Sequence, residues 1–164
     1  MEELLHYVWK HKLFPLAPLT TTDGKSVEVV DVGLHNRHAG PDFFNAKVRV
    51  DGTLWVGNVE IHDKASDWFV HGHDHDARYD NVVLHVVDIA DVVVRTSQGA
   101  TPPQMVLHVP DRVRDHYQEL LAAEDYPPCH AVISSLPRLT VCSWLSALLS
   151  LIHISEPTRA ISIS

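Results

Sequence analysis

Asp51-Gly52 constrains this chain more than any other pair of residues. It stands between two runs, FFNAKVRV and TLWVGNVEIH, in which apolar and polar side chains alternate. Alternation of period two marks strands, and Asp-Gly supplies the two positive-φ residues of a tight hairpin turn. The register follows. Val50 faces Thr53, Val48 faces Trp55, and Ala46 faces Gly57. Phe44, Ala46, Val48 and Val50 then share a core face with Trp55, Gly57, Val59 and Ile61. Asn45, Lys47 and Arg49 share the polar face with Asn58, Glu60 and His62.

The flanking sequence supplies elements to pack on this hairpin. Leu4, Leu5, Val8 and Trp9 lie at helical spacing within residues 2–13, and Pro15 and Pro18 close that helix. Asp23-Gly24 is a second turn signal before a strand over 27–34, and residues 35–41 form a polar loop. Residues 63–80 are polar and poorly periodic, which predicts a loop with a short helix. The nearly continuous apolar run over 81–87 predicts a central strand. Residues 92–95 and 104–109 read as a further hairpin. A helix over 111–123 follows Pro110 and stops at Pro127-Pro128, and another begins at Trp144 and runs to 151. The expected fold is α+β, or α/β: a mixed, largely antiparallel sheet flanked by helices.

Charge narrows the partners. Thirteen Lys+Arg stand against 21 Asp+Glu, for a formal net charge of -8, so no global field draws in nucleic acid or anionic lipid. Any nucleic-acid contact requires a local basic patch. The 13 histidines make the balance sensitive to mild acid. Two cysteines, Cys129 and Cys142, are too few for a disulfide framework or a four-cysteine zinc site. With no apolar leader and no long apolar run, the expectation is a cytoplasmic protein with reduced thiols and no membrane span.

Three constellations carry chemistry. Asp42, Glu60 and His62 surround the hairpin. Two carboxylates there form a Mg²⁺ or Mn²⁺ site, with His62 or Lys47 positioning water or a scissile phosphate. Alternation from Phe44 places Asp42 on the apolar face, so a bulge near Pro41 is needed to bring it beside Glu60. His71-Gly72-His73-Asp74-His75-Asp76 is the second: His71 and His73, completed by His85 or His62, form an alternative zinc site. It resembles the H-x-H-x-D-H motif of metallo-β-lactamase-type hydrolases with its last two residues exchanged. Asn36 and Arg37, in the loop before Pro41, are the third, as phosphate-binding candidates set against ordinary turn chemistry.

The blocks MEELLHYVWKHKLF, DVGLHNRHAGPDFFNAKV, GTLWVGNVEIHDKASDW, HGHD and YDNVVLHVV resemble domain of unknown function 2851, a family of uncharacterised proteins from Bacteroidetes and relatives. Its members are longer, so the resemblance implies that residues 1–148 are the N-terminal part of a larger protein. It implies no activity. Pro41-Asp42 with Glu60-Ile61-His62 also resembles the PD-(D/E)XK nuclease pattern, with His in place of Lys. That resemblance implies a metal-dependent nuclease-like phosphodiesterase acting on nucleic acid. A non-catalytic binding module on the same scaffold is the alternative, and a zinc-dependent hydrolase is third. The string SLIHISEPTR resembles translated adapter sequence, which makes 149–164 a non-native tail by expectation.

Overall fold

The hairpin forms as its turn dictates. Asp51 and Gly52 both take positive φ (48° and 80°), and Ala46, Val48 and Val50 face Gly57, Trp55 and Thr53. The structure is a computed structural model that describes residues 2–15, 17–122, 136–143 and 145–146. Two compact units divide it, Met1–Tyr117 and Gln118–Ser164.

In chain order the elements are α1 (Glu2–Lys10), β1 (Leu19–Thr20), β2 (Ser26–Asp31), β3 (Leu34–His35), β4 (Phe43–Val50) and β5 (Thr53–Lys64). Then come α2 (Asp67–Val70), β6 (Val82–Ile89), β7 (Gln104–Val106) and α3 (Asp111–Ala122). Two 3-10 turns, His73–His75 and Ala77–Tyr79, lie between α2 and β6. The seven strands form one sheet in the order β1-β2-β4-β5-β6-β7, with β3 paired to β4. Pairing is antiparallel as far as β5, while β6 runs parallel to β5 and β7 parallel to β6. An antiparallel bridge from Thr21 to Met105, and Thr22 N donating to Gln104 O at 2.7 Å, bend the sheet nearly into a closed barrel.

The inner face of this sheet is the main core. Phe43, Ala46, Val48, Val59, Ile61, Leu84, Val86 and Met105 are fully buried there, and α1 lays Leu4, Leu5, Val8 and Trp9 against them. Trp9 Nε1 donates to Val32 O at 3.1 Å, which satisfies the indole within the core. The segment from Ala65 to Asn81 crosses over from β5 to β6. Ala65, Trp68 and Tyr79 pack with Val82, Val87 and Val94 on the outer face.

The expected faces need three corrections. Phe43, not Phe44, enters the core, because a β-bulge interrupts β4 between Phe43 and Ala46. Asn45 carries it at φ 55°, a left-handed value that Asn tolerates better than most residues. Trp55 is half exposed near the hairpin tip. The expected open polar face is instead buried: Asn58, Glu60 and His62 lie under the crossover, so the middle of β5 is covered on both sides.

Two further expectations change. Residues 92–95 form no strand, and β7 joins β6 in parallel, so the second hairpin does not exist. The cause is the long connection, whose Thr96–Ala100 turn is fixed by its own hydrogen bonds. The strand expected over 27–34 breaks at Val32-Gly33 into β2 and β3. In the second unit, residues 138–143 and 145–146 are helical. Cys129, the rest of the helix expected over 144–151 and the 149–164 tail lie outside the described residues.

Gly33 seats the bulge. Its φ is +87°, and a Cβ there would lie 2.5 Å from Phe44 O and 3.0 Å from Ala46 N. Backbone cannot yield as a side-chain tip does, so Gly33→Ala combines strain with a clash at the bulge. It should destabilise the fold by about 1–3 kcal/mol, read as a lower midpoint in urea. Asn45→Gly, which keeps the left-handed residue, should stay within about 0.5 kcal/mol of the parent. Equal midpoints for Gly33→Ala and the parent would contradict this account of the bulge.

Candidate metal centre

The bulge sets the site. By moving Phe43 inward it turns Asp42 toward Glu60, and the two residues lock reciprocally. Asp42 N donates to Glu60 Oε2 at 3.1 Å, and Ile61 N donates to Asp42 Oδ2 at 2.9 Å. From α1, His6 Nε2 lies 3.3 Å from Asp42 Oδ2. The sequence spacing gave no sign of His6. Its only signal is a polar residue inside the apolar stripe of α1, beside Leu5 and ahead of Val8.

Glu60 and His62 project from β5 to the outer side, where the crossover descends on them. Gly72, at φ 73°, turns the chain out of α2 and lets His71 and His73 approach from either side of it. His62, His71 and His73 each offer one ring nitrogen, and these three nitrogens lie within 4.8 Å of one another. His62 Nε2 is 3.1 Å from His71 Nδ1. Glu60 Oε1 is 3.0 Å from His73 Nε2 and 3.5 Å from His62 Nε2. His62 and His73 are buried, whereas His71 is exposed and leaves the cluster open to solvent on one side.

Behind His62 stands His85, fully buried on β6, with Nε2 2.9 Å from His62 Nδ1. A neutral imidazole has one donor and one acceptor. If His62 donates from Nδ1 to His85, its Nε2 lone pair is turned toward His71 and His73. Tyr79 stacks on His73 with ring centroids 3.7 Å apart, which fixes that ring. His73 Nε2 and His85 Nδ1 are buried and have no hydrogen-bond partner among the described residues. The contact of His73 Nε2 with Glu60 Oε1 is therefore close without hydrogen-bond alignment.

Burial governs the charges. It pushes the Glu60 carboxyl up to about 9, with the Asp42 carboxylate adding to the rise. Burial, and then His85, His73 and His71, push His62 down to about 2. Burial also lowers His73, and takes His85 to about 4 against the opposing influence of Gln104. His6 moves the other way: burial lowers it, but the close Asp42 carboxylate outweighs that and its value rises. In the absence of a cation, burial thus favours the neutral forms of His62, His73 and His85 beside a protonated Glu60. A divalent ion would meet several lone pairs already aimed inward.

The structure brings together Asp42, Glu60, His62, His71, His73 and His85. It does not bring in the others. Lys47 is exposed and faces Val56 across the hairpin, four residues from Glu60 along β5, roughly 13 Å at strand spacing. Asn36 is occupied within its own loop, where Nδ2 donates to His38 O (2.9 Å) and Pro41 O (3.0 Å), and Arg37 is exposed beside it. A larger cavity of about 480 Å³, lined by Trp55, Val83 and Pro102 among others, contains none of the clustered histidines. Among the described residues no helix is long and apolar enough to cross a membrane.

Comparison with known proteins is brief. The profile of a family described as protein of unknown function (DUF2851) matches residues 2–155. None of the curated proteins and none of the solved structures matches the chain.

The charge arrangement fixes a pH dependence for metal-free protein. Folded Glu60 keeps its proton to about pH 9, whereas its ordinary value is 4.5, so between those limits the folded state binds more protons. Stability then falls as pH rises. His62 and His85 oppose this, since their folded values lie below 6.5, but their contribution is complete above that pH. His6, raised in the fold, adds to the fall. From pH 6.5 to 9, chelator-treated protein should lose up to about 1.4 kcal/mol per pH unit. Urea midpoints at three pH values would show it, and Glu60→Gln should flatten the slope. A midpoint that rises with pH would mean that Glu60 is ionised in the fold.

Proposed function

Because the chain belongs to the DUF2851 family, whose description prescribes no chemistry, we propose from the site alone that it is a metal-dependent hydrolase with a zinc-type centre. His62, His71 and His73 are its ligands, and Glu60 is the base that takes a proton from metal-bound water. The observation that carries this reading is the convergence of three imidazole nitrogens within 4.8 Å of one another beside a buried carboxyl, 3.0 Å from His73 and 3.5 Å from His62.

Zinc–nitrogen bonds of about 2.0–2.1 Å place tetrahedral ligands about 3.3 Å apart. The 3.1 Å separation of His62 Nε2 and His71 Nδ1 is close to that value. Imidazole donors favour zinc over magnesium or manganese, which prefer oxygen. Asp42 Oδ2 is already held by Ile61 N, which further disfavours a two-carboxylate centre. The exposure of His71 favours a reactive rather than a sealed site, because three protein ligands with an open position are the catalytic pattern. A bound ion would supply Lewis acidity toward water, and its charge would favour the carboxylate form of Glu60. His85 orients the His62 ring from behind.

The 3.0 Å contact of Glu60 with His73 favours one second reading, in which Glu60 is a fourth ligand and the centre is structural, within a non-catalytic binding module. One variant separates the two. Glu60→Gln should keep zinc and lose hydrolysis of chromogenic esters if Glu60 is the base, and should lose zinc if Glu60 is a ligand.

Zinc titration against a chelating dye should give one site per chain. His73→Ala removes one of three ligands and should weaken binding by at least a hundredfold. His85→Phe preserves the ligands but removes the partner of His62, and should weaken binding about 10–100-fold. Absence of zinc binding by the parent protein would overturn the proposal.

A further inference from the structure

We infer that β5 pairs with the β5 of a second copy of this chain, through the stretch 53–56 that β6 leaves uncovered. This goes beyond the metal centre and does not depend on it. β6 first meets β5 at Val82, opposite Asn58. Ahead of that point β5 has β4 on one side and no strand on the other. Asn58 N donates to Asn81 O at 2.8 Å, so the amide of Asn58 faces the β6 side. Backbone direction repeats every second residue, and the amides and carbonyls of Leu54 and Val56 therefore face that side too. Among the described residues, no hydrogen bond reaches them from there.

This edge carries none of the usual protection. Edge strands are blunted by charge, proline or a bulge. Residues 52–59 contain no charged side chain and no proline, and β5 pairs regularly with β4 from Thr53 to Gly57. Leu54, Trp55 and Val56 are 50, 50 and 54% exposed, an apolar run that a solitary edge would leave in water. Beside it lies the cavity of about 480 Å³, walled by Trp55, Val56, Val83 and Pro102. Asp80 is the one charged residue on that lining, and Ser97 and Gln98 hold its carboxylate.

Two features select a second copy as the occupant. Copies of net charge -8 repel one another, so they approach where charge is absent, and the 52–59 strip supplies such a place on both. The incoming strand must also be short, because Asn81 closes the gap beside Asn58, and a hairpin tip has that form. In a two-fold antiparallel pairing Leu54 lies opposite its counterpart and exchanges both main-chain hydrogen bonds with it. Trp55 then lies opposite Thr53, and Val56 opposite Gly52. The Asp51-Gly52 turn of the second copy ends beside Gly57, short of Asn81. Such a contact closes on itself and leaves no place on this edge for a third copy.

The test is sedimentation velocity of the full chain over a range of concentrations. A chelator is present, so that exposed histidines such as His71 cannot bridge copies through metal. Parent, Val56→Lys, Leu54→Pro and Val70→Lys proteins are compared. Val56→Lys places charge on the strip. Leu54→Pro removes an outward N–H that the fold itself leaves unpaired, a change that edge strands tolerate. Val70, 77% exposed on α2, is the control for surface apolarity in general. The parent and Val70→Lys should show the same monomer–dimer equilibrium, and Val56→Lys and Leu54→Pro should each weaken it on the order of tenfold. Urea midpoints establish that the variants fold, and if Leu54→Pro does not, Val56→Lys decides alone. Dimers unaffected by Val56→Lys, or kept by a folded Leu54→Pro, overturn the inference, as does association that continues past the dimer. A monomeric parent also overturns it, and leaves the edge to a strand of a different protein.

Discussion

The rest of the structure depends on the double-sided burial of β5 from Gly57 to His62. One side is apolar and belongs to the main core through Val59 and Ile61. The other carries Glu60 and His62, which a strand can bury only when neighbouring groups satisfy them. Those neighbours come from every direction: Asp42 across the bulge, His71 and His73 from the crossover, and His85 from the parallel strand. Removing water from this face makes its few polar contacts consequential, for a carboxyl that would be an ordinary surface acid becomes a group whose protonation is set by its surroundings.

Much of the hairpin could be read from residues alone because its determinants are local. Asp51-Gly52 fixes the turn, the turn fixes the register, and alternation fixes the faces. The need for a bulge was also legible, since Asp42 otherwise pointed the wrong way. Its seat at Asn45 was not, because it depends on Gly33, earlier in the chain, having no Cβ to press on Phe44 O and Ala46 N. The parallel strands were harder still. The apolar run of β6 announced burial but not direction, and β7 is three residues long with a loop on each side. Direction there depends on where the crossover returns, a long-range matter on which periodicity is silent.

The site was legible as two separate halves. The carboxylates and His62 drew notice as one constellation, and His71 and His73 as another with His85 in reserve. Their union is the work of the crossover, which folds the second half onto the first across α2 and the Gly72 turn. Lys47, chosen because it shared a face with Glu60, failed for distance: residues on one face of a strand still move apart with each step along it. His6 escaped notice because a histidine in an amphipathic helix has no distinguishing spacing.

The Thr21–Met105 bridge carries an implication for how anything else attaches to this fold. An open sheet offers its outermost backbone amides and carbonyls as a template for one more strand. Here the first and last strands meet, and each occupies the groups that the other would have presented. Enlargement by strand addition at that seam would first require breaking it. At this seam, additional polypeptide would meet side-chain surfaces, where recognition is by shape and charge rather than by main-chain pairing.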